Sequence, residues 1–112
     1  MEGEDSEVIR QCLFAAANGP FFPDWEFGTL FGLDRDEVRQ IAEAWPVWEN
    51  EREQSRAVSN ALNNLLGYPH KHWEAWPGYI SVGPREVALI FARWLGESEF
   101  DPSGRGYFDR LQ

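Results

Sequence analysis

The sequence Glu-Val-x-x-Ile-x-x-x-Trp occurs twice, as Glu37, Val38, Ile41 and Trp45 and again as Glu86, Val87, Ile90 and Trp94. Steps of three and four residues place Val, Ile and Trp on one stripe of an α-helix. The chain is therefore expected to build its core at least partly from two similarly patterned helices, each anchored by a large indole. If both rings are core, Trp45→Ala and Trp94→Ala should each cost ~3–5 kcal/mol. The tetrapeptide Glu-Ala-Trp-Pro also recurs, ending at Pro46 and at Pro77, but at a different offset. Repeat architectures hold one fixed period, so these recurrences do not describe an internal duplication.

Local punctuation marks five helices. Ser6 is placed to cap the first, which carries Val8, Ile9, Cys12, Leu13 and Ala16 inward and stops near Asn18-Gly19-Pro20. Pro20-Phe21-Phe22-Pro23 reads as a rigid apolar connector, because each proline fixes its own φ and restrains the residue before it. Asp24 can cap a short helix through Trp25, Phe27, Leu30 and Phe31, ended by Gly32. Asp34 opens a third, with Glu37 completing a capping box, and Pro46 halts it after Trp45. The fourth begins after Pro46 and stops at Gly67, with Pro69 beyond. Its later half presents Val58, Ala61, Leu62 and Leu65 inward, whereas Glu49, Glu51, Arg52, Glu53 and Arg56 make its earlier half a solvated, acidic face. An aromatic loop runs from Tyr68 to Gly83, with a short extended piece at Tyr79–Val82. Pro84 starts a fifth helix that reaches Leu95 and stops at Gly96. Being apolar on most sides, it is the expected central element. In the tail, a turn at Asp101–Gly104 should let Tyr107, Phe108 and Leu111 fold back. The expected fold is an all-α, compact single-domain bundle of about five helices over residues 1–112.

A chain of 112 residues can bury roughly two thirds of its unfolded surface. Six Trp within a 15% aromatic content supply large rings, each hiding ~150–250 Å². The net charge of -9 disfavours nucleic acid and anionic membranes, since neutralising phosphates needs Lys and Arg. It favours a basic partner. Cys12, the single cysteine, cannot form an internal disulfide and falls on the first helix's apolar stripe, as expected of a small hydrophobe in a reducing compartment. No basic segment leads into an apolar run at the N-terminus, and no apolar stretch approaches the ~20 residues that span a bilayer. The expected location is cytoplasmic.

The stretch Asp24 to Glu43 resembles a helix-turn-helix unit, with Gly28, then Gly32 at the turn, flanking Phe31 and Leu33, and then Val38 and Ile41. Two short helices meeting steeply need a small residue at the crossing and a glycine between them. The resemblance implies a second helix that directs Arg35, Asp36, Arg39, Gln40 and Glu43 towards the major groove. Asp34, Asp36, Glu37 and Glu43 outnumber Arg35 and Arg39 there, and carboxylates are repelled by phosphate. A DNA-binding regulator is thus the alternative reading.

Chemistry could begin only at His70-Lys71-His72-Trp73-Glu74, where strand alternation would point both His and Glu74 the same way. A small enzyme or metal-binding protein using this segment is the second alternative. Zinc generally wants three or four protein ligands, however, and no further His exists. No glycine-rich phosphate cradle and no nucleophile in a recognisable setting occurs. Pairs such as Glu49–Arg52 and Glu53–Arg56 read as helix support. No catalytic residue, metal or cofactor is expected.

Binding without chemistry remains. One candidate surface is acidic and holds Trp48, Glu49, Glu51 and Glu53. The other is aromatic and holds Tyr68, His70, His72, Trp73, Trp76 and Tyr79. Trp and Tyr anchor interfaces, and a negative field speeds capture of a cationic partner. The expected function is a non-enzymatic acidic protein-interaction module of the immunity-protein or adaptor type. Its partner would be a basic or mixed protein, and the aromatic loop offers a possible homodimer contact.

Overall fold

A computed structural model describes residues 3–68 and 70–97. The expected tail turn at Asp101–Gly104, and the packing of Tyr107, Phe108 and Leu111, lie outside the described residues. The helices are α1 (Gly3–Asn18), α2 (Asp24–Phe31), α3 (Arg35–Ala44), α4 (Glu51–Gly67) and α5 (Pro84–Glu97), with a 3₁₀ helix at Trp73–Gly78 between α4 and α5. The fold is all-α, and no strand occurs among the described residues.

Local chemistry explains most boundaries. At α3, the Asp34 carboxylate accepts from the Glu37 N–H at 2.8 Å while Glu37 accepts from the Asp34 N–H at 2.9 Å. At α4, Asn50 accepts from the N–H groups of Arg52 and Glu53. Such caps are each worth ~0.5–2 kcal/mol. Gly32 ends α2 with φ 72°, a left-handed conformation that costs glycine nothing.

Four expected boundaries shift. Helix α1 already begins at Gly3, so Ser6 lies within it and is no cap. Pro23, not Asp24, occupies the N-cap of α2, and the Asp24 carboxylate pairs instead with Arg35 at 2.8 Å. Helix α5 runs through Gly96 to Glu97, past its expected stop, whereas α4 does end at Gly67, where the Tyr68 N–H donates to the Asn64 carbonyl. Tyr79–Val82 is not extended, because the N–H groups of Tyr79 and Ile80 both donate back to the Trp76 carbonyl.

The centre of the bundle is α1, not α5. Val8, Ile9, Cys12, Leu13, Ala15, Ala16 and Ala17 are all buried, and α1 touches α3, α4 and α5. Its three consecutive alanines are small enough to let neighbouring helices close in from several directions. Helix α5 packs Val87, Ile90 and Phe91 inward, but Leu89 is 44% exposed. An apolar composition made α5 look central, yet it lies along one side of the bundle.

The twin stripes do meet, with Trp45 and Trp94 ring centroids 6.1 Å apart. Their Val and Ile members are fully buried, whereas both indoles are half-buried at the rim. The reason is the indole N–H, which needs a polar partner. Trp45 donates to the Ser6 carbonyl and hydroxyl, and Trp94 to the Ser59 hydroxyl. Truncating either ring should therefore cost less than removing a fully buried aromatic.

The last turn of α1 carries no basic residue, and α3 makes good the lack. Arg35 donates to the carbonyls of Ala16 and Ala17 at 3.2 Å each and of Phe22 at 2.9 Å, with its guanidinium 4.5 Å above the Phe27 ring. Arg39 donates to the Ala17 carbonyl and to the Asn18 side chain. These are charge-assisted bonds at the negative end of a helix dipole. Arg35→Met keeps the aliphatic stem but strands three carbonyls. Stability by urea denaturation should fall by about 2–4 kcal/mol, and Arg39→Met should cost less. An Arg35→Met midpoint matching the parent would show that α3 does not cap α1.

Candidate interaction surface

Helix α4 separates the two candidate surfaces. Its 17 residues extend roughly 25 Å at ~1.5 Å per residue, with the acidic group at its start and the aromatic loop at its end. They are two places, not one continuous patch.

At the start of α4, Trp48 is half-buried against the core and donates its indole N–H to Glu53 at 3.2 Å. The Gln54 amide donates to the Pro46 carbonyl, fastening the α3–α4 linker to the helix. Glu49 and Glu51 stand in solvent, and Val47 beside them is 73% exposed. Neither Glu49–Arg52 nor Glu53–Arg56 forms an ion pair among the described residues, so the expected support pairs are not made. Glu51 and Glu53 do sit in the first turn, where negative charge complements the helix dipole.

A cleft of about 220 Å³ lies between the first turns of α1 and the side of α5, lined partly by Glu4, Asp5, Glu7 and Glu86. Hydrogen bonding to Arg93, at 2.6 and 2.9 Å, holds the Asp5 carboxyl below its ordinary range. Arg10 does the same for Glu7. A general acid needs the opposite shift, so this pair lacks the acid–base asymmetry of a two-carboxylate catalyst.

At the far end of α4, the aromatic loop closes over Phe21, the connector residue at the hub of the rings. Phe21 meets His70 at 5.0 Å, Tyr79 at 5.6 Å and Trp76 at 6.2 Å, mostly edge to face. The backbone approaches closely here: a Cβ on Gly19 would lie 2.7 Å from the Ala15 carbonyl and 2.9 Å from the Phe21 ring. Trp76 is buried and donates its N–H to the Val82 carbonyl at 2.8 Å. Tyr68 packs on Phe22 and donates its hydroxyl to Glu26, and that bond pushes the phenol's pKa up. His70 is buried, with Nε2 on the Leu65 carbonyl and Nδ1 accepting the His72 N–H. His72 is half-buried. Only Trp73 and Tyr79, 47% and 39% exposed, present wide aromatic faces to solvent. Much of this loop is the lid of the core.

The metal reading has no geometry behind it. Both nitrogens of His70 are engaged, and Glu74 lies in the 3₁₀ turn instead of continuing a strand. No grouping of three or more His, Cys, Asp or Glu suited to a metal occurs among the described residues. The helix-turn-helix corner forms as α2 and α3, but Gly28 is exposed with open space around it, so it is not the crossing point. Arg35 and Arg39 are directed at α1, leaving Asp36, Gln40 and Glu43 outermost.

Two exposed residues escaped the sequence reading, Val47 and Trp25, the latter 80% exposed. A signal for Trp25 existed: Phe27 and Phe31 are four apart on one face of α2, and Trp25 lies off that face. No protein-family model matches this chain, and neither a curated protein nor a solved structure does. No helix among the described residues is long and apolar enough to cross a membrane.

Cys12 is completely buried in α1, and burial pushes its thiol far above the ordinary range. The thiolate is the reactive form, so the folded protein should resist iodoacetamide near neutral pH and become labelled once unfolded. Rapid labelling of the native protein would contradict this burial.

Proposed function

We propose that this protein is a non-enzymatic, acidic interaction module of the immunity-protein or adaptor type, acting in the cytoplasm on a basic protein partner. The observation that carries the reading is at the start of α4. Glu49 and Glu51 are exposed and make no hydrogen bond or ion pair among the described residues. They follow exposed Val47 in the chain at a helix end held by the Asn50 cap and the Gln54–Pro46 bond, with exposed Arg52 next to Glu51. An exposed apolar side chain near carboxylates that make no ion pair suits a cationic surface with a small apolar recess.

The charge balance supports the same reading. Arg35, Arg39 and Arg93 are engaged with carbonyls or carboxylates of the protein itself, and the net charge remains -9. Glu53 belongs to the support of the surface, because it holds Trp48. Trp73 and Tyr79 provide a separate aromatic face at the far end of α4, available to a second partner or a second copy.

The test is affinity capture from the native host on immobilised protein, with mass spectrometry of what is retained. The wild type should hold a basic protein in stoichiometric amount, and its association rate should rise as salt falls. Glu49→Lys with Glu51→Lys should slow association by about tenfold or more, flatten the salt dependence and leave the fold intact. Capture and kinetics undiminished in that variant would overturn the reading.

A further inference from the structure

The His70 ring stands at the junction of three parts of the molecule, and its partners determine its chemical form. The His72 backbone N–H can only donate, and it lies 2.9 Å from Nδ1. Nδ1 must therefore offer a lone pair, which puts the single ring proton on Nε2, donating to the Leu65 carbonyl at 3.1 Å. That carbonyl belongs to the last turn of α4, where carbonyls have no partner within the helix. One neutral imidazole thus caps α4 and closes the backbone around Lys71, which it holds at φ 60°. A side chain with a Cβ adopts this left-handed conformation at a cost, so the closure works against a small backbone strain.

The ring also carries the aromatic stack. Trp73 lies 4.5 Å from it, Trp76 stacks on Trp73 at 5.3 Å, and Phe21 meets it edge-on. We propose that His70 is a pH-sensitive latch: neutral, it fastens the aromatic loop to the end of α4, and protonated, it lets Trp73 leave the imidazole and Trp76 leave the core. A second ring proton would go to Nδ1 and point at an N–H group that has nowhere to turn. The closing hydrogen bond would become a donor–donor clash inside an apolar wall.

The groups that face His70 are few. The connector offers Phe21, α4 offers the Leu65 carbonyl, and the loop itself offers His72 and Trp73. Of these only His72 titrates; it is stacked 6.3 Å away, and its own charge would add repulsion. Lys71 and Glu74, the charged neighbours of His70 in the loop, are both exposed, and neither is among its charge partners. Burial, the largest influence, together with His72 outweighs the Leu65 carbonyl, so His70 titrates below the ordinary 6.5. For a base whose folded value is lowered, the closed loop's stability is fully present above pH 6.5 and is lost as pH falls through that lowered value.

The full chain tests this without any partner, so its outcome is independent of the proposed function. Nitrogen-15 spectra of the His rings near pH ~7.5 should show His70 as the neutral Nε2–H form. On acidification, the His70 resonances and the Trp emission should change together, with one midpoint below 6.5. His70→Gln should abolish the transition, while His72→Gln should retain it. Trp73→Phe should shrink the emission change, leaving the part that comes from buried Trp76, and keep the His70 midpoint. An Nδ1–H tautomer, a midpoint at or above 6.5, or a transition surviving in His70→Gln would overturn the latch. Should His70→Gln fail to fold, the wild-type ring spectra decide it alone.

Discussion

The last carbonyls of α1 need partners, and α3 supplies them. Arg35 reaches Ala16, Ala17 and Phe22, and Arg39 reaches Ala17 and Asn18. This crossing determines where α3 lies against α1 and bends the connector so that Phe21 and Phe22 enter the core. It also fixes α2, whose Asp24 pairs with the same guanidinium and whose Phe27 lies beneath it. Once Phe21 is seated, the aromatic loop has a surface on which to close. Two arginines thereby connect the geometry of the core to that of the exposed rings.

The same arrangement shapes the exterior. Arg35 and Arg39 turn toward α1, while Glu49 and Glu51 stand outside without an ion pair among the described residues. At the other end of α4, exposure is aromatic instead of acidic, and a single imidazole holds the aromatic stack in place. A helix roughly 25 Å long keeps these features apart, so each can be altered without the other.

How much was readable beforehand depended on whether the cause was local. The Asp34–Glu37 box, the Gly32 stop and the inward stripes on α1, α3 and α4 follow from residues a few positions apart, and they stand as expected. The Ser6 cap does not, because α1 already begins at Gly3, and the Asp24 cap does not, because its carboxylate found a distant partner in Arg35. Aromatic richness revealed that Tyr68 to Tyr79 mattered, but not that Trp76 would be buried while Trp73 stayed open. That difference depends on which ring meets Phe21, a contact across a long stretch of chain.

Periodicity and capping by themselves determined an all-helical chain, its approximate helix boundaries and its negative exterior, because each arises from neighbouring residues or from composition. Tertiary structure alone decided that α1 would be the hub, that the twin indoles would sit at the rim, and that His70 would be neutral and enclosed. Each of those outcomes depends on which polar group finds a partner when distant segments pack. A buried donor or acceptor without a partner is costly, and no pattern of neighbours says where that partner will be.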